Sequence, residues 1–299
     1  MKIKQIIKSS NFLYGLCLKL LYLKDFLGYK ICPIKLIKKR YRISLNKELE
    51  ITNPQTLNEK INYINLYRRH KMSSKCADKY EVREYLEQKG YKELLVNLLG
   101  VYEKSDEINF EELPDKFVLK ATHGSGYNII CKDKSKLDIK DAKKKLDIWL
   151  KENFAIRTLE FHYKDIKPRI ICEEYIDGFD GELPIDYKVF CFHGEPQFIE
   201  CCVGRGKNLR MVFYDCNWNK LPYSTSEGHQ FVNINKPETL EEMLVVAKNL
   251  SEPFDFVRAD FFDSEGKLLF GELTFTPAGG KMKSMTPEAD KLWGELLKI

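Results

Sequence analysis

Two carboxylates stand where a β-hairpin would set them face to face. The segment Phe256-Val-Arg258-Ala-Asp260-Phe-Phe-Asp-Ser-Glu-Gly266-Lys-Leu-Leu-Phe-Gly-Glu272 is a pair of apolar runs joined by a Gly-bearing turn, which predicts an antiparallel hairpin. With the turn near Gly266, Asp260 and Glu272 fall opposite or nearly opposite each other, their Cβ atoms roughly 4.5–5.5 Å apart. Acids that close within apolar strands repel unless a cation joins them. An all-oxygen pair suits Mg2+ or Mn2+, the metals that bridge nucleotide phosphates. Arg258 shares the face of Asp260, so an internal ion pair is the competing explanation.

Two further segments carry charge in apolar strands. In Phe117-Val-Leu-Lys120-Ala-Thr-His-Gly124-Ser125-Gly126-Tyr-Asn128 a lysine ends a strand just before a glycine loop. That arrangement can place an ammonium on a phosphate while backbone N–H groups close over it, although a lysine before a Gly turn is also ordinary surface chemistry. Neither GxxxxGK[ST] nor GxGxxG is present. In Asp186-Tyr-Lys188-Val-Phe-Cys-Phe, period 2 puts Asp186 and Lys188 on one face. Lys188 is then either half of a cross-strand ion pair or a ligand of the phosphates.

Short turns such as Asn53-Pro54 and Leu113-Pro114-Asp115 punctuate the chain, without repeats. Periodicity predicts helices over 56–70, 78–88 (with Asp78 as N-cap), 139–153 and 240–250. Strands are expected at 117–121, 128–131, 169–176, 186–192, 197–203, 210–214, 256–262 and 268–275. This is an α+β chain with a largely antiparallel set of strands, not a doubly wound parallel sheet.

The nine cysteines are odd in number and lack CxxC pairs, so neither a disulfide framework nor a zinc ribbon is indicated and a reducing, cytoplasmic setting is expected. Charge is concentrated at the start, where residues 1–42 hold eleven Lys or Arg against one acid, Asp25. Lys19 and Lys24 interrupt every window long enough to span a bilayer, and no small-residue cleavage site follows the apolar run. Residues 1–45 therefore read as a basic amphipathic arm. It either lies as a peripheral contact on the inner, anionic face of a membrane or packs its apolar face on the body of the protein. No nucleic-acid reader motif accompanies the charge, which argues against that partner.

Taken in order, the Lys-Gly loop, a Glu-Glu-Tyr-Ile strand, Asp-x-Lys, and the late pair of acids resemble the functional elements of the ATP-grasp superfamily. More narrowly, Leu-Asn-Glu-Lys-Ile at 57–61, Ala-Asp-Lys-Tyr-x-Val-Arg at 77–83, Lys-Ala-Thr-His-Gly-Ser-Gly at 120–126, Asp-Tyr-Lys-Val-Phe-Cys-Phe-His-Gly at 186–194 and Gly-Glu-Leu-Thr-Phe-Thr-Pro-Ala-Gly-Gly at 271–280 resemble the TupA-like ATP-grasp family. The likeness spans about residues 45–285. It implies an ATP-grasp fold, two α+β units holding ATP between mainly antiparallel sheets. The arm would be followed by a helical subdomain (46–110), a small lid subdomain (111–185) and a C-terminal metal-binding subdomain (186–299).

The resemblance also implies a Mg-ATP-dependent carboxylate-amine ligase acting through an acylphosphate, on a surface polysaccharide or its precursor. Lys120 would bind the α and β phosphates beneath a cover of Gly124, Ser125 and Gly126. Glu173, Tyr175 and Ile176 would lie along adenine, and Asp180, with Glu182 as the alternative, would meet the ribose. Lys120, Lys188 and Arg258 would stabilise the transferring phosphoryl group, and Asp260 and Glu272 would hold Mg2+. Many superfamily members carry Asn two residues after the second acid, where this chain has Thr274, a hydroxyl that can also ligate Mg2+. Arg205, Arg210 and Lys281 are candidates for a carboxylate pocket. His123 is open to a role in phosphoryl transfer or a structural one. Asp78 and Lys79 match the family pattern, and a helix cap with a neighbouring ion pair explains them equally well.

Two other functions compete. A glycosyltransferase of capsule or lipopolysaccharide assembly would use the acids to hold a metal for a nucleotide sugar, but the DxD motif near a Rossmann-like first half is missing. A non-catalytic membrane-surface protein leaves the paired acids unexplained.

Overall fold

The computed structural model describes residues 26–176, 184–204, 208–264 and 266–299. The first 25 residues of the arm, Asp180, Glu182 and Arg205 lie outside the described residues.

Two antiparallel sheets organise the chain. The first joins β1 (Leu98–Tyr102), β2 (Phe117–Ala121), β3 (Asn128–Cys131) and β4 (Ile170–Glu174) in the order β1-β4-β2-β3. The second joins β5 (Asp186–Phe192), β6 (Glu195–Val203), β7 (Arg210–Asp215), β8 (Lys220–Leu221), β9 (Phe256–Ser264) and β10 (Lys267–Thr274) in the order β10-β9-β5-β6-β7-β8. All their pairings are antiparallel, so the α+β expectation holds. The β5–β6 hairpin turns through His193 and Gly194, both at positive φ (50° and 80°), as a two-residue turn with the right twist requires.

Residues 26–31 are helical, and the α-helices whose bounds both lie among the described residues are α1 (Pro33–Leu45), α2 (Leu57–Tyr67), α3 (Ser73–Ala77), α4 (Glu81–Gln88), α5 (Ile139–Lys151), α6 (Phe154–Thr158), α7 (Leu240–Ser251) and α8 (Pro287–Leu296). Asp78 is not the N-cap of α4, which begins after Tyr80; its carboxylate instead accepts from Tyr80 N (2.8 Å) and Glu81 N (3.3 Å), turning the chain just before the helix. The described end of the arm is part of the body. Ile37 and Tyr41 of α1 are buried in the largest core cluster, while Lys35, Lys38, Lys39 and Arg42 face outward.

The six-stranded sheet has two different faces. One carries Tyr187, Val189, Cys191, Val257, Ala259 and Phe261 into the main core beneath α7. The other is apolar only at one end, where Phe190, Phe192, Phe198, Phe213 and Phe256 meet Leu57 and Ile61 of α2 and Trp293 of α8. Phe198 stacks on Trp293 at 3.6 Å. The rest of that face carries the charged residues. A third core lies under the first sheet, where Phe117, Leu119, Ile170 and Cys172 cover Leu146 of α5.

α2 fixes more than the core. Its start is a capping box, with Thr56 Oγ1 accepting from Glu59 N and Glu59 Oε2 accepting from Thr56 N. Its buried Asn58 and Asn62 then reach the loop after β10: Asn58 accepts from Met282 N (2.8 Å) and donates to Met282 O (3.2 Å), and Asn62 donates to Gly280 O (2.8 Å). That loop forms one wall of the site described next. No described helix is long and apolar enough to cross a membrane.

Candidate active site

The two sheets face each other across a cleft of about 500 Å³. Lys120 of β2, Asn128 of β3 and the loop residues Ser125 and Gly126 line one side; Asp186, Lys188, Arg258, Asp260, Glu272 and Thr274 line the other. Thus ten of the residues singled out in the sequence converge here: Lys79, Lys120, Ser125, Gly126, Asp186, Lys188, Arg258, Asp260, Glu272 and Thr274.

The floor is a row of cross-strand partners. Glu272 pairs with Asp260, Asp260 with Lys188, and Lys188 with Glu200. Directly opposed residues share a face, so acid, acid, base and acid follow one another across four strands. Arg258 binds Asp260 through two parallel bonds, Nε to Oδ1 and a terminal nitrogen to Oδ2, each 2.6 Å. Lys188 adds a bond to Asp260 Oδ2 (2.5 Å) and another contact to Asp186 Oδ2 (2.7 Å). Arg258 also donates to Thr274 Oγ1 (3.1 Å), and Thr274 donates to Glu272 Oε1 (3.0 Å). The competing explanation drawn from sequence, an internal ion pair between Arg258 and Asp260, therefore exists in the structure.

Electrostatics differ along the row. Burial pushes the Asp260 carboxyl up, against the pull of Arg258 and Lys188. Burial and Arg258 would lower Lys188, yet Asp260 and Asp186 hold it above its ordinary value. Burial would also raise Glu272, but Lys79, Arg258, Lys188 and the Thr274 hydroxyl together bring it down to about 2. Glu272 is the most open of the three acids, with a third of its side chain exposed and its nearest cations at 3.6 and 3.9 Å. Among the described residues no cluster of three or more His, Cys, Asp or Glu forms a ready metal cage. The donors fit Mg2+ in kind, being oxygens only: Glu272 offers its open carboxylate, with Thr274 and Asp260 beside it.

Lys79 enters the site from the turn before α4. Its ammonium donates to Gly124 O (2.6 Å) and lies 3.9 Å from Glu272 Oε2, tying the glycine loop to the floor. Burial lowers its pKa, offset by Glu272. The sequence pattern flagged Lys79 without assigning it this position. Glu160 and Tyr163, on the short segment after α6, also line the cleft and carried no sequence signal. Burial raises the Glu160 carboxyl, which accepts from Thr276 Oγ1.

Other expected residues lie elsewhere. Glu173 is buried beneath Lys120, accepting from its ammonium at 2.5 Å and from Arg83 at 3.3 Å. Tyr175 stands between Lys116 and Lys132, each 5.7 Å from its ring centre; neither it, Ile176, Glu173 nor Gly124 lines the cleft. His123 is buried under the glycine loop with Nε2 against Trp149 O (2.9 Å), and burial lowers its pKa, which is the structural of its two readings. Arg210 packs beside Gly228 and does not line this cleft.

Comparison with known proteins gives one family. The family model described as TupA-like ATPgrasp matches residues 59–298. Among solved structures, D-alanine–D-alanine ligase from Bacillus anthracis complexed with ATP is similar at 15% identity, with 75% of this chain and 63% of that chain covered and a TM-score of 0.44. The corresponding ligase from Helicobacter pylori is 14% identical, with 80% and 65% covered and a TM-score of 0.44. Phosphoribosylamine–glycine ligase from Thermotoga maritima is 12% identical, with 71% and 52% covered and a TM-score of 0.39. The chain thus spans less than two thirds of each. No curated protein matches.

Proposed function

Because the chain belongs to the TupA-like ATP-grasp family, we propose that it is a Mg-ATP-dependent carboxylate-amine ligase, forming an amide through an acylphosphate in the assembly of a surface polysaccharide or its precursor. The two-sheet α+β architecture is the ATP-grasp fold. The observation that carries the reading is the row Glu272, Asp260 and Lys188, with Arg258, set in a cleft whose opposite side is Lys120 and the glycine loop.

In this reading Lys120 leaves Glu173 to bind the α and β phosphates, under the cover of Gly124, Ser125 and Gly126. Tyr175 and Ile176, on the segment after β4 and outside the cleft lining, would serve adenine, and Asp180 the ribose. Lys188 and Arg258 would meet the negative charge that spreads over the transferring phosphoryl group, and fixed, largely buried cations are effective in that role. Glu272, with Asp260 and Thr274, would hold Mg2+, which when bound neutralises phosphate charge. No side-chain nucleophile is required. The protein would act in the cytoplasm, with the basic residues of 1–42, among them Lys35, Lys38, Lys39 and Arg42 on the outward side of α1, as its peripheral contact to the membrane face.

The test is a thermal-shift titration with ATP, GTP and UDP-glucose, each with and without Mg2+. A ligand bound only by the folded state raises Tm by mass action. A shift selective for Mg-ATP and lost in Asp260→Asn supports the reading; stabilisation by UDP-glucose alone overturns it in favour of a sugar transferase.

A further inference from the structure

Three large apolar side chains stand further out into solvent than any other among the described residues: Phe231 (81% exposed), Ile31 (75%) and Ile43 (71%). Ile31 and Ile43 belong to the described end of the arm, and Phe231 to the body. One exposed apolar residue is ordinary. The surroundings of Ile43 and Phe231 are not.

Both stand by the mouth of a second cavity, of about 410 Å³, which shares Lys188, Arg258 and Ala278 with the nucleotide cleft. Ser44, next to Ile43 at the end of α1, lines this cavity together with Leu209, Lys281 and Lys283. Leu209 is itself an exposed apolar residue. The segment after β8 runs along the rim: Thr225 N donates to Ser284 O (2.9 Å), and the guanidinium of Arg210, which follows Leu209, lies against Gly228. Phe231 N donates to Gly228 O (3.1 Å), closing a turn that leaves the phenylalanine ring in solvent.

Cations surround these apolar tips. Lys35, Lys38, Lys39, Arg42, Lys47 and Lys283 are exposed, and α1 contains no acid. Arg42 meets Glu48 at 3.2 Å with both side chains more than half exposed, a pair that contributes little. Glu227, in the Phe231 turn, is an exposed opposing charge, outnumbered by these six. Separate bulky tips among lysines match a lipid headgroup layer, where the tips enter the acyl boundary and the ammonium groups meet phosphates. They do not match a protein interface, whose centre is apolar and poor in charge.

We infer that the folded body docks on an anionic bilayer, with Ile43, Leu209 and Phe231 entering the lipid boundary and the mouth of the second cavity opening at the headgroups. The inference rests on the membrane contact proposed above and extends it from the arm to a face of the body. It also gives the cleft a direction: what reaches Lys188 and Arg258 through the second cavity arrives from the membrane side.

Full-length protein is sedimented with vesicles of phosphatidylcholine alone and of phosphatidylcholine mixed with phosphatidylglycerol. The wild type should bind the mixed vesicles, less so as salt rises. Phe231→Ser, at an exposed position, should weaken that binding about fivefold or more through lost apolar burial. Lys283→Gln should weaken it about fivefold, the worth of one cation at such a surface. In Phe231→Trp, brominated acyl chains should quench more fluorescence than in the wild type, whose tryptophans are Trp149, Trp218 and Trp293. The Mg-ATP thermal shift should be the same in all three variants, which checks their folding. A wild type that binds neither vesicle overturns the membrane contact itself, and this face with it. Binding that Phe231→Ser and Lys283→Gln leave unaltered, without added quenching in Phe231→Trp, overturns the face alone and leaves the arm as the contact. A dimer in light scattering that Phe231→Ser abolishes, without vesicle binding, assigns the face to a second copy of the chain and overturns the proposal.

Discussion

Glu272 stands opposite Asp260 because Gly271 is an extra residue in β10. Counting back from the turn, Lys267 pairs with Ser264 and Phe270 with Phe261, which would set Gly271 against Asp260; the register shifts there, and Glu272 takes the place. A one-residue slip exchanges the two faces of a strand. Without the bulge, Glu272 would follow Leu268 and Phe270 into the main core, and Leu273, now in that core, would face the cleft. A Cβ added at Gly271 would lie 3.0 Å from Asp260 O and 3.2 Å from the Phe262 ring. Gly271→Val should therefore displace β10 from β9, lower Tm, and abolish the Mg2+ dependence of ATP binding in the same thermal-shift measurement. Unchanged Mg-ATP affinity in that variant would show that the bulge is not what positions Glu272.

Lys120 is held by an internal anion. Its contact with Glu173 is 2.5 Å, and Glu173 is answered on its other oxygen by Arg83. Phosphates must compete with that pair. Lys120→Met should weaken ATP by about 1.5–3 kcal/mol, the worth of a charge-assisted bond, read by calorimetric titration as an increase in Kd of more than tenfold. An effect under twofold would place the phosphates elsewhere.

Acid sensitivity has two separable parts. His162 is 1% exposed, with both ring nitrogens lacking partners, and burial brings its pKa down to about 3. Below the ordinary value near 6.5 the unfolded chain takes up a proton that the folded chain refuses until about 3. Stability then falls as pH falls through that window, by about 1.4 kcal/mol per unit. Glu272, also lowered, contributes stability present above about 4.5 and lost as pH drops toward about 2. His162→Leu should flatten the dependence of urea-unfolding free energy between pH 6.5 and 5 without touching the lower window. A slope there equal to that of the wild type would assign it to other groups.

The legible part of this molecule was whatever alternation and charge reveal. Asp186, Lys188 and Asp260 stand out as charges in apolar strands, and their strands form where the pattern places them. Glu200 lies in the same kind of strand, Gln-Phe-Ile-Glu-Cys-Cys-Val, and the rule that singled out Lys188 applies to it equally; no motif drew the eye there. The Gly271 bulge had its own signal, since an isolated glycine within a strand marks a bulge or a close approach. β1 was hidden because Leu-Leu-Gly-Val-Tyr does not alternate and its burial does not either. α8 was missed although Thr286 before Pro287 and Glu288 is a cap with proline at the first helical position. The face of Glu173 was not recoverable from spacing, because its partners Lys120 and Arg83 come from distant parts of the chain.

Asp260 and Glu272 should respond differently to loss of charge, which separates holding the fold from holding a metal. Asp260 sits under Arg258 and Lys188 at 2.5–2.6 Å with 4% of its side chain exposed. Asp260→Asn leaves both cations short of a partner in a buried setting, and breaking such a pair costs about 3–5 kcal/mol. Glu272 meets its cations only at 3.6 and 3.9 Å and is a third exposed. Glu272→Gln should thus lower the unfolding free energy clearly less than Asp260→Asn does. In binding the order should vanish: a carboxylate that ligates Mg2+ cannot be replaced by an amide at similar affinity, because the anionic oxygen supplies most of the attraction to a hard divalent cation. Both variants should then bind ATP equally with and without Mg2+, where the wild type binds more tightly with it. Calorimetric titration across a Mg2+ series, beside urea unfolding of the same two proteins, reads both quantities. If Glu272→Gln keeps the Mg2+ dependence while Asp260→Asn loses stability alone, the row is a structural ion network, and Mg2+ is held by other residues.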